Sequence, residues 1–228
     1  MNLVGLSLIS GLLALDTTAV LQSLLSQPLA ACTILGWLSG NPELGLKIGF
    51  LLQLLWLGDL PVGAAKIPEG NVGSMVGALI AFHLLEFQYS HPHLLIFLVV
   101  LYALLFSYVG TKTIRLIRNW NVRLFDKALA AASSGRPSAL AKINLTALLG
   151  HFVFMSAVIY LAVWIGEAVF SAVLRAIPAS WDYYARFTEA MLLGGGVALT
   201  LTLFHGRKIR IVLMLSMVVG GVLFGLIG

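Results

Sequence analysis

Charge is what this sequence has least of. Only 10% of its 228 residues are Asp, Glu, Lys or Arg, while 60% are hydrophobic, and mean hydropathy is +0.99. A soluble domain normally carries about a quarter charged residues. With so few charges most of the surface must face lipid, so a soluble globule is excluded. Cysteine is nearly absent too: Cys32 is alone, which excludes an internal disulfide and any paired-thiol site. There is no Walker-type phosphate loop, no His-Glu-x-x-His pair and no Gly-x-Ser-x-Gly elbow. The five histidines, His83, His91, His93, His151 and His205, are scattered, with no base or nucleophile beside them in sequence. The chain therefore reads as no enzyme by itself, with no cofactor and no catalytic residue. The run from Asn2 to Leu15 lacks a basic leader, so it reads as part of the mature fold rather than a signal peptide.

What is present is a series of apolar runs separated by polar breaks. In the second half the expected spans are His93–Gly110, Leu145–Ala172, Glu189–Phe204 and Ile211–Ile227. Between the first two, Thr111–Asn144 holds Lys112, Arg115, Arg118, Arg123, Lys127, Arg136 and Lys142 against one acid, Asp126. The positive-inside rule puts that segment in the cytoplasm, with the basic loop His205–Arg210 on the same side. Val173–Thr188, with Trp181, Tyr183 and Tyr184, then reads as an external loop with an interfacial aromatic belt. The net charge of +5 follows from these loops, so nucleic acid is not an expected partner. Ile114, Ile117, Phe125 and Leu129 recur at roughly helical spacing within the basic segment. This fits an amphipathic surface helix or docking face, and equally a plain solvated connector.

The first half is interrupted. Runs at Leu3–Leu15, Pro28–Leu38, Leu44–Leu57 and Val72–Leu85 are short for the roughly 20 residues a full crossing needs. Polar or helix-breaking groups divide them: Asp16-Thr17-Thr18, Ser26-Gln27-Pro28, Gly40-Asn41-Pro42-Glu43 and Gly58–Asn71. Half-helices or re-entrant hairpins are expected, the device with which transporters build midplane sites; complete helices with short loops are the alternative. The fold class is thus all-α, a polytopic integral membrane protein forming one membrane domain over 1–228. Residues 1–90 hold the interrupted helices and the substrate site, 111–144 the basic cytoplasmic segment and 145–228 the regular spans.

Polar side chains inside apolar runs are functional candidates, because a charge at the bilayer centre costs about 3 kcal/mol. The candidates for substrate contact are Asp16, Gln22, Gln53, Asp59, Glu69 and Asn71. Carboxylates and amides of this kind suit a neutral hydroxylated ligand, with Trp37 or Trp56 offering a face to a pyranose ring. The bland alternatives are an interhelical hydrogen bond for Gln53, a helix end near water for Asp16, and interfacial loop positions for Asp59 and Lys66.

The run Gln27-Pro28-Leu29-Ala30-Ala31-Cys32-Thr33-Ile34-Leu35-Gly36, then Gly40-Asn41-Pro42-Glu43-Leu44-Gly45-Leu46-Lys47-Ile48-Gly49, resembles the IIC subunit of mannose-type (mannose/fructose/sorbose) bacterial phosphotransferase systems. Leu54-Leu55-Trp56-Leu57-Gly58, Pro61-Val62-Gly63-Ala64-Ala65 and Ile67-Pro68-Glu69 extend the likeness, as does Ala14-Leu15-Asp16-Thr17-Thr18-Ala19-Val20. It is good over about residues 5–80 and diffuse beyond, where Gly194-Gly195-Gly196 adds some support. Gln53 departs from the family, which often has Glu there, and Lys66 stands where relatives commonly have an uncharged residue.

The resemblance implies a sugar-translocating subunit of the bacterial inner membrane. It implies a hetero-oligomer with a second membrane subunit, IID, and with soluble IIB and IIA phosphocarriers, IIB phosphorylating the sugar as it arrives. A non-conducting scaffold or sensing subunit is the alternative. An intramembrane enzyme would need a compact His, Glu or Asp cluster on one cavity.

Overall fold

The computed structural model describes residues 2–17, 19–20, 22–57, 69–85 and 90–203, with 211, 214 and 215 besides. Among these residues the chain is helical throughout and has no strand. Helices α1 (Leu3–Leu15), α2 (Pro28–Leu38), α3 (Pro42–Trp56) and α4 (Gly70–His83) precede two long ones, α5 (Pro92–Ser133) and α6 (Pro137–Ala176). A single 3₁₀ turn, α7 (Asp182–Ala185) and α8 (Phe187–Leu203) follow. At 1.5 Å per residue the first four helices are about 16–22 Å long, too short for a ~30 Å hydrocarbon core. The interrupted first half is therefore built from half-helices. Most of the expected span at Ile211–Ile227, and the basic loop before it, lie outside the described residues.

Helices α2 and α3 form a tight hairpin, and its turn follows from local chemistry. Gly40 takes a φ of +81°, which glycine adopts without steric penalty. The Asn41 N–H then donates to the Gly36 carbonyl at 2.8 Å, and the Gly40 N–H to Trp37 at 3.1 Å. Pro42 restarts the helix at its first position. The same grammar recurs between α5 and α6: Gly135 has φ +62°, Arg136 donates to Ala131 and Gly135 to Ala132, each at 3.0 Å, and Pro137 opens α6. Ser-Gly-Asn-Pro and Ser-Gly-Arg-Pro are thus two copies of one hairpin signal, a left-handed C-cap followed by an N1 proline. A Cβ at Gly135 would meet nothing within 4 Å, so Gly135→Ala should cost only the ~1 kcal/mol of left-handed strain. A small drop in thermal midpoint is the expected measurement.

Small residues let the helix backbones touch, as membrane packing favours. A Cβ on Gly36 would stand 2.8 Å from Gly45 Cα, and one on Gly49 would stand 2.6 Å from the Pro28 carbonyl oxygen. Gly45 itself lies against the Cys32 carbonyl. One face of α3 (Gly45, Gly49) is thereby locked onto one face of α2 (Pro28, Cys32, Gly36). Helix α4 packs antiparallel on α5 in the same way, with Gly73 on the Ala103 carbonyl and Gly77 on Val99. Helix α1 lies against α6, Gly11 meeting Ser156, and α8 runs parallel to α3, joined by Lys47–Glu189 at 2.8 Å and by Gly196 on Leu54. The core at the centre of these contacts is apolar: Leu35, Ile48, Leu52, Met75, Leu79, Leu95 and Ile159 are fully buried.

Helices α5 and α6 are long and apolar enough to cross a membrane. At 42 and 40 residues they measure about 63 and 60 Å, twice the hydrocarbon thickness. Thr111–Asn144 is consequently neither a separate surface helix nor a connector. It is the second half of α5, the turn and the first two turns of α6, the tip of an antiparallel arm in which Trp120 covers Gly150 further along α6. At the opposite end, the Asp182 Oδ1 accepts the His93 and Leu94 N–H groups at 2.9 and 2.8 Å. This caps the start of α5 and anchors the aromatic connection containing Tyr183 and Tyr184.

Candidate functional site

The breaks between the half-helices converge. Asp16 ends α1 and is buried. Its Oδ1 accepts the Ser23 N–H and hydroxyl, both at 2.8 Å, and its Oδ2 accepts the Ser26 N–H at 3.1 Å. One carboxylate thus gathers the connection to α2 into a compact loop, in which Gln22 takes a φ of +53°. From that loop the Ser26 hydroxyl accepts Asn71 Nδ2 on α4 at 3.4 Å. Next to it, Gln27 Oε1 accepts Gln53 Nε2 on α3 at 3.3 Å, while Gln53 Oε1 accepts the Leu29 N–H at 3.3 Å. Gln53 therefore caps a first-turn amide of α2, which Gln27 leaves uncapped by side chain. Four helix ends or faces meet through one polar chain: Asp16, Ser23, Ser26, Asn71, Gln27 and Gln53.

The depth of this chain follows from α4. Gly73 rests on the Ala103 carbonyl, and Ala103 lies about 16 Å along α5 from Pro92 at 1.5 Å per residue. Asn71 precedes Gly73 by two residues in this antiparallel pair, so the polar chain meets α4 level with about residue 105, roughly 20 Å along α5 and within its apolar stretch.

The other proposed residues are placed differently. Glu69 precedes α4, but its N–H donates to the Ser107 carbonyl at 3.0 Å and its Cβ abuts Gly110. It faces α5, within the electrostatic reach of Arg118, rather than joining the chain. The Gln22 side chain is exposed. Asp59 and Lys66 lie outside the described residues. Trp37 is 72% exposed at the turn end of its hairpin, away from the polar chain. Trp56 covers Gly70 and donates from Nε1 to the Ser74 hydroxyl at 3.2 Å. Sequence reasoning missed Ser23, Ser26, Gln27 and Ser74; the signal for the first three was a run of hydroxyl and amide groups directly after Asp16 in an apolar context. The tertiary structure also sets His83 3.4 Å from Glu167 and His93 3.5 Å from Glu189. Among the described residues, no group of three or more His, Cys, Asp or Glu is arranged to hold a metal ion.

Two solved structures share this fold at 20% sequence identity. A structure described only as a membrane protein has a TM-score of 0.70, covering 99% of this chain and 90% of its own. The mannose transporter ManYZ in complex with microcin E492 has a TM-score of 0.60, covering 96% and 84%. In sequence, the chain is 37% identical over 54 residues to the sorbose-specific EIIC component of Klebsiella pneumoniae, covering 24% of this chain and 20% of that one. It is 24% identical over 181 residues to the mannose-specific EIIC component of Escherichia coli K12, covering 78% and 65%. The chain thus spans less than two thirds of these relatives' length. The pattern of one family, the sorbose-specific IIC component of the phosphotransferase system (EII-Sor), matches residues 1–224, and the chain belongs to that family.

Proposed function

We propose that this chain is the sugar-translocating IIC subunit of a mannose-type phosphotransferase system in the bacterial cytoplasmic membrane. It moves a hexose or amino sugar inward, in complex with a IID membrane subunit, and a soluble IIB protein charged by IIA phosphorylates the sugar. The observation that supports this reading is the polar chain set among apolar helices, and in particular its unequal bond lengths. Asp16 holds its loop with three bonds of 2.8, 2.8 and 3.1 Å, within the ordinary range and strengthened by charge. The contacts between helices, Gln53–Gln27 at 3.3 Å and Asn71–Ser26 at 3.4 Å, are long and weak. Sugar hydroxyls exchange for those weak bonds while the carboxylate keeps the loop in place. Glu69 supports the start of α4 from the α5 side, and Asp59 and Gln22 complete the proposed contact set.

Uptake of labelled hexoses and amino sugars, in cells supplying the partner subunits, tests this. Gln53→Leu removes two neutral hydrogen bonds of about 0.5–1.5 kcal/mol each, so uptake should fall about tenfold; Glu69→Ala should also reduce it. Wild-type uptake in both variants removes the site assignment. One observation favours the alternative of a non-conducting scaffold: both ends of the Gln53 amide are already engaged. On that reading, no sugar is taken up by the unmutated chain with its full set of partners.

A further inference from the structure

The stretch of α5 beyond Gly110 carries exposed apolar side chains among basic ones. Val122, Phe125 and Leu129 are 60, 65 and 61% exposed and, at i, i+3 and i+7, share one helix face. They lie about 18–28 Å beyond Gly110 along the axis, where the apolar part of α5 ends and Lys112 begins. Each such side chain gains about 1.5–3 kcal/mol on burial, and a contiguous exposed patch marks an interaction site. Beside the stripe runs a line of exposed polar groups, Lys112, Arg115, Asn119, Arg123 and Lys127, again spaced by three or four residues. Between the helices near the tip lies a groove of about 440 Å³, walled by Ala128, Leu140, Ala141, Ile143, Asn144 and Ala147. Its small alanine walls leave room for an inserted side chain, and Ala128 stands next to Leu129.

We infer that the arm is a docking surface for a soluble protein that presents an apolar anchor set among carboxylates. The stripe and groove take the anchor, and the basic line takes the acidic rim. A second copy of this chain fits poorly, because it would set one basic line against another. A lipid surface fits poorly as well, because α5 is a single helix from Pro92 to Ser133 and would have to bend near Gly110 to lay the stripe flat on a membrane. The inference rests on the reading above that a soluble phosphocarrier works with this subunit, and it names the face that receives it.

The test uses the full chain in nanodiscs of zwitterionic lipid and the purified IIB subunit of its own system. Phe125→Ser with Leu129→Ser should weaken IIB binding at least tenfold. Arg123→Glu with Lys127→Glu should weaken it and flatten its salt dependence, and Ala141→Trp, which fills the groove, should weaken it with no charge change. All the substituted side chains are exposed, and thermal midpoints near wild type confirm folding. Equal IIB affinity in wild type and all variants, with uptake intact, overturns the docking surface and leaves the transport reading standing. No IIB binding and no uptake by the wild type overturns the transport reading, and this surface assignment with it. Variant-sensitive binding to anionic vesicles without IIB, or variant-sensitive self-association, assigns the arm to lipid or to a second copy and also overturns the inference.

Discussion

Gly45→Val is expected to abolish sugar uptake and to lower the thermal midpoint more than any other single substitution considered for this protein. The reason is that the obstacle is backbone. A Cβ at Gly45 runs into the Cys32 carbonyl and stands 2.9 Å from Gly36 Cα; neither can rotate away as a side chain would. Overpacking that side chains can absorb costs about 1–3 kcal/mol, and here the α2–α3 hairpin itself must open, carrying Gln27 away from Gln53. Gly194→Val is the matched control, because a Cβ at Gly194 meets nothing within 4 Å. Thermal unfolding of the detergent-purified protein, read beside uptake, should separate the two variants clearly. Equal midpoints would remove the close-packed hairpin from the account of this fold.

Asp16→Ala should be nearly as damaging to uptake while leaving the helices folded. It strips the acceptor from the Ser23 N–H, the Ser23 hydroxyl and the Ser26 N–H. Hydrogen bonds to a charged group contribute about 1.5–3 kcal/mol each. Even partial replacement by water then loosens the loop by a few kcal/mol, or more than about tenfold in its closed population. Asp16→Asn keeps one acceptor oxygen but turns an NH₂ donor toward another donor, so an intermediate uptake is expected. Faster proteolysis within residues 17–27, with unchanged helical circular dichroism, would show that the loop and not the bundle has failed. Uptake at the wild-type level in Asp16→Ala would show that the carboxylate does not organise the site.

The residues that carry the family resemblance have a packing role. Gly36, Gly45 and Gly49 are where two backbones touch, and Gly40 supplies the turn between them. Their spacing was readable in the sequence as a family pattern before its geometric cause was visible. The Ser-Gly-Arg-Pro turn at the arm tip was equally readable, but it sits among basic residues that look like an ordinary loop. Hydropathy registers where lipid ends; it does not register that a helix continues past that boundary, which only the 3.6-residue recurrence of Ile114, Ile117, Phe125 and Leu129 signals.

Low charge and long apolar runs by themselves determined that this is a helical membrane protein. They also determined where its first helices stop, because the stop signals are local. Leu3–Leu15 ends at Asp16, and Pro28–Leu38 starts on a proline and ends just before Gly40. Only the tertiary structure decided which breaks meet. Asp16 and Ser26 are close in sequence, but Asn71 reaches Ser26 from α4 and Gln53 reaches α2 from α3. Such partners are chosen by packing through space, by which glycine face accepts which backbone, and a pattern read along one segment carries no record of that choice.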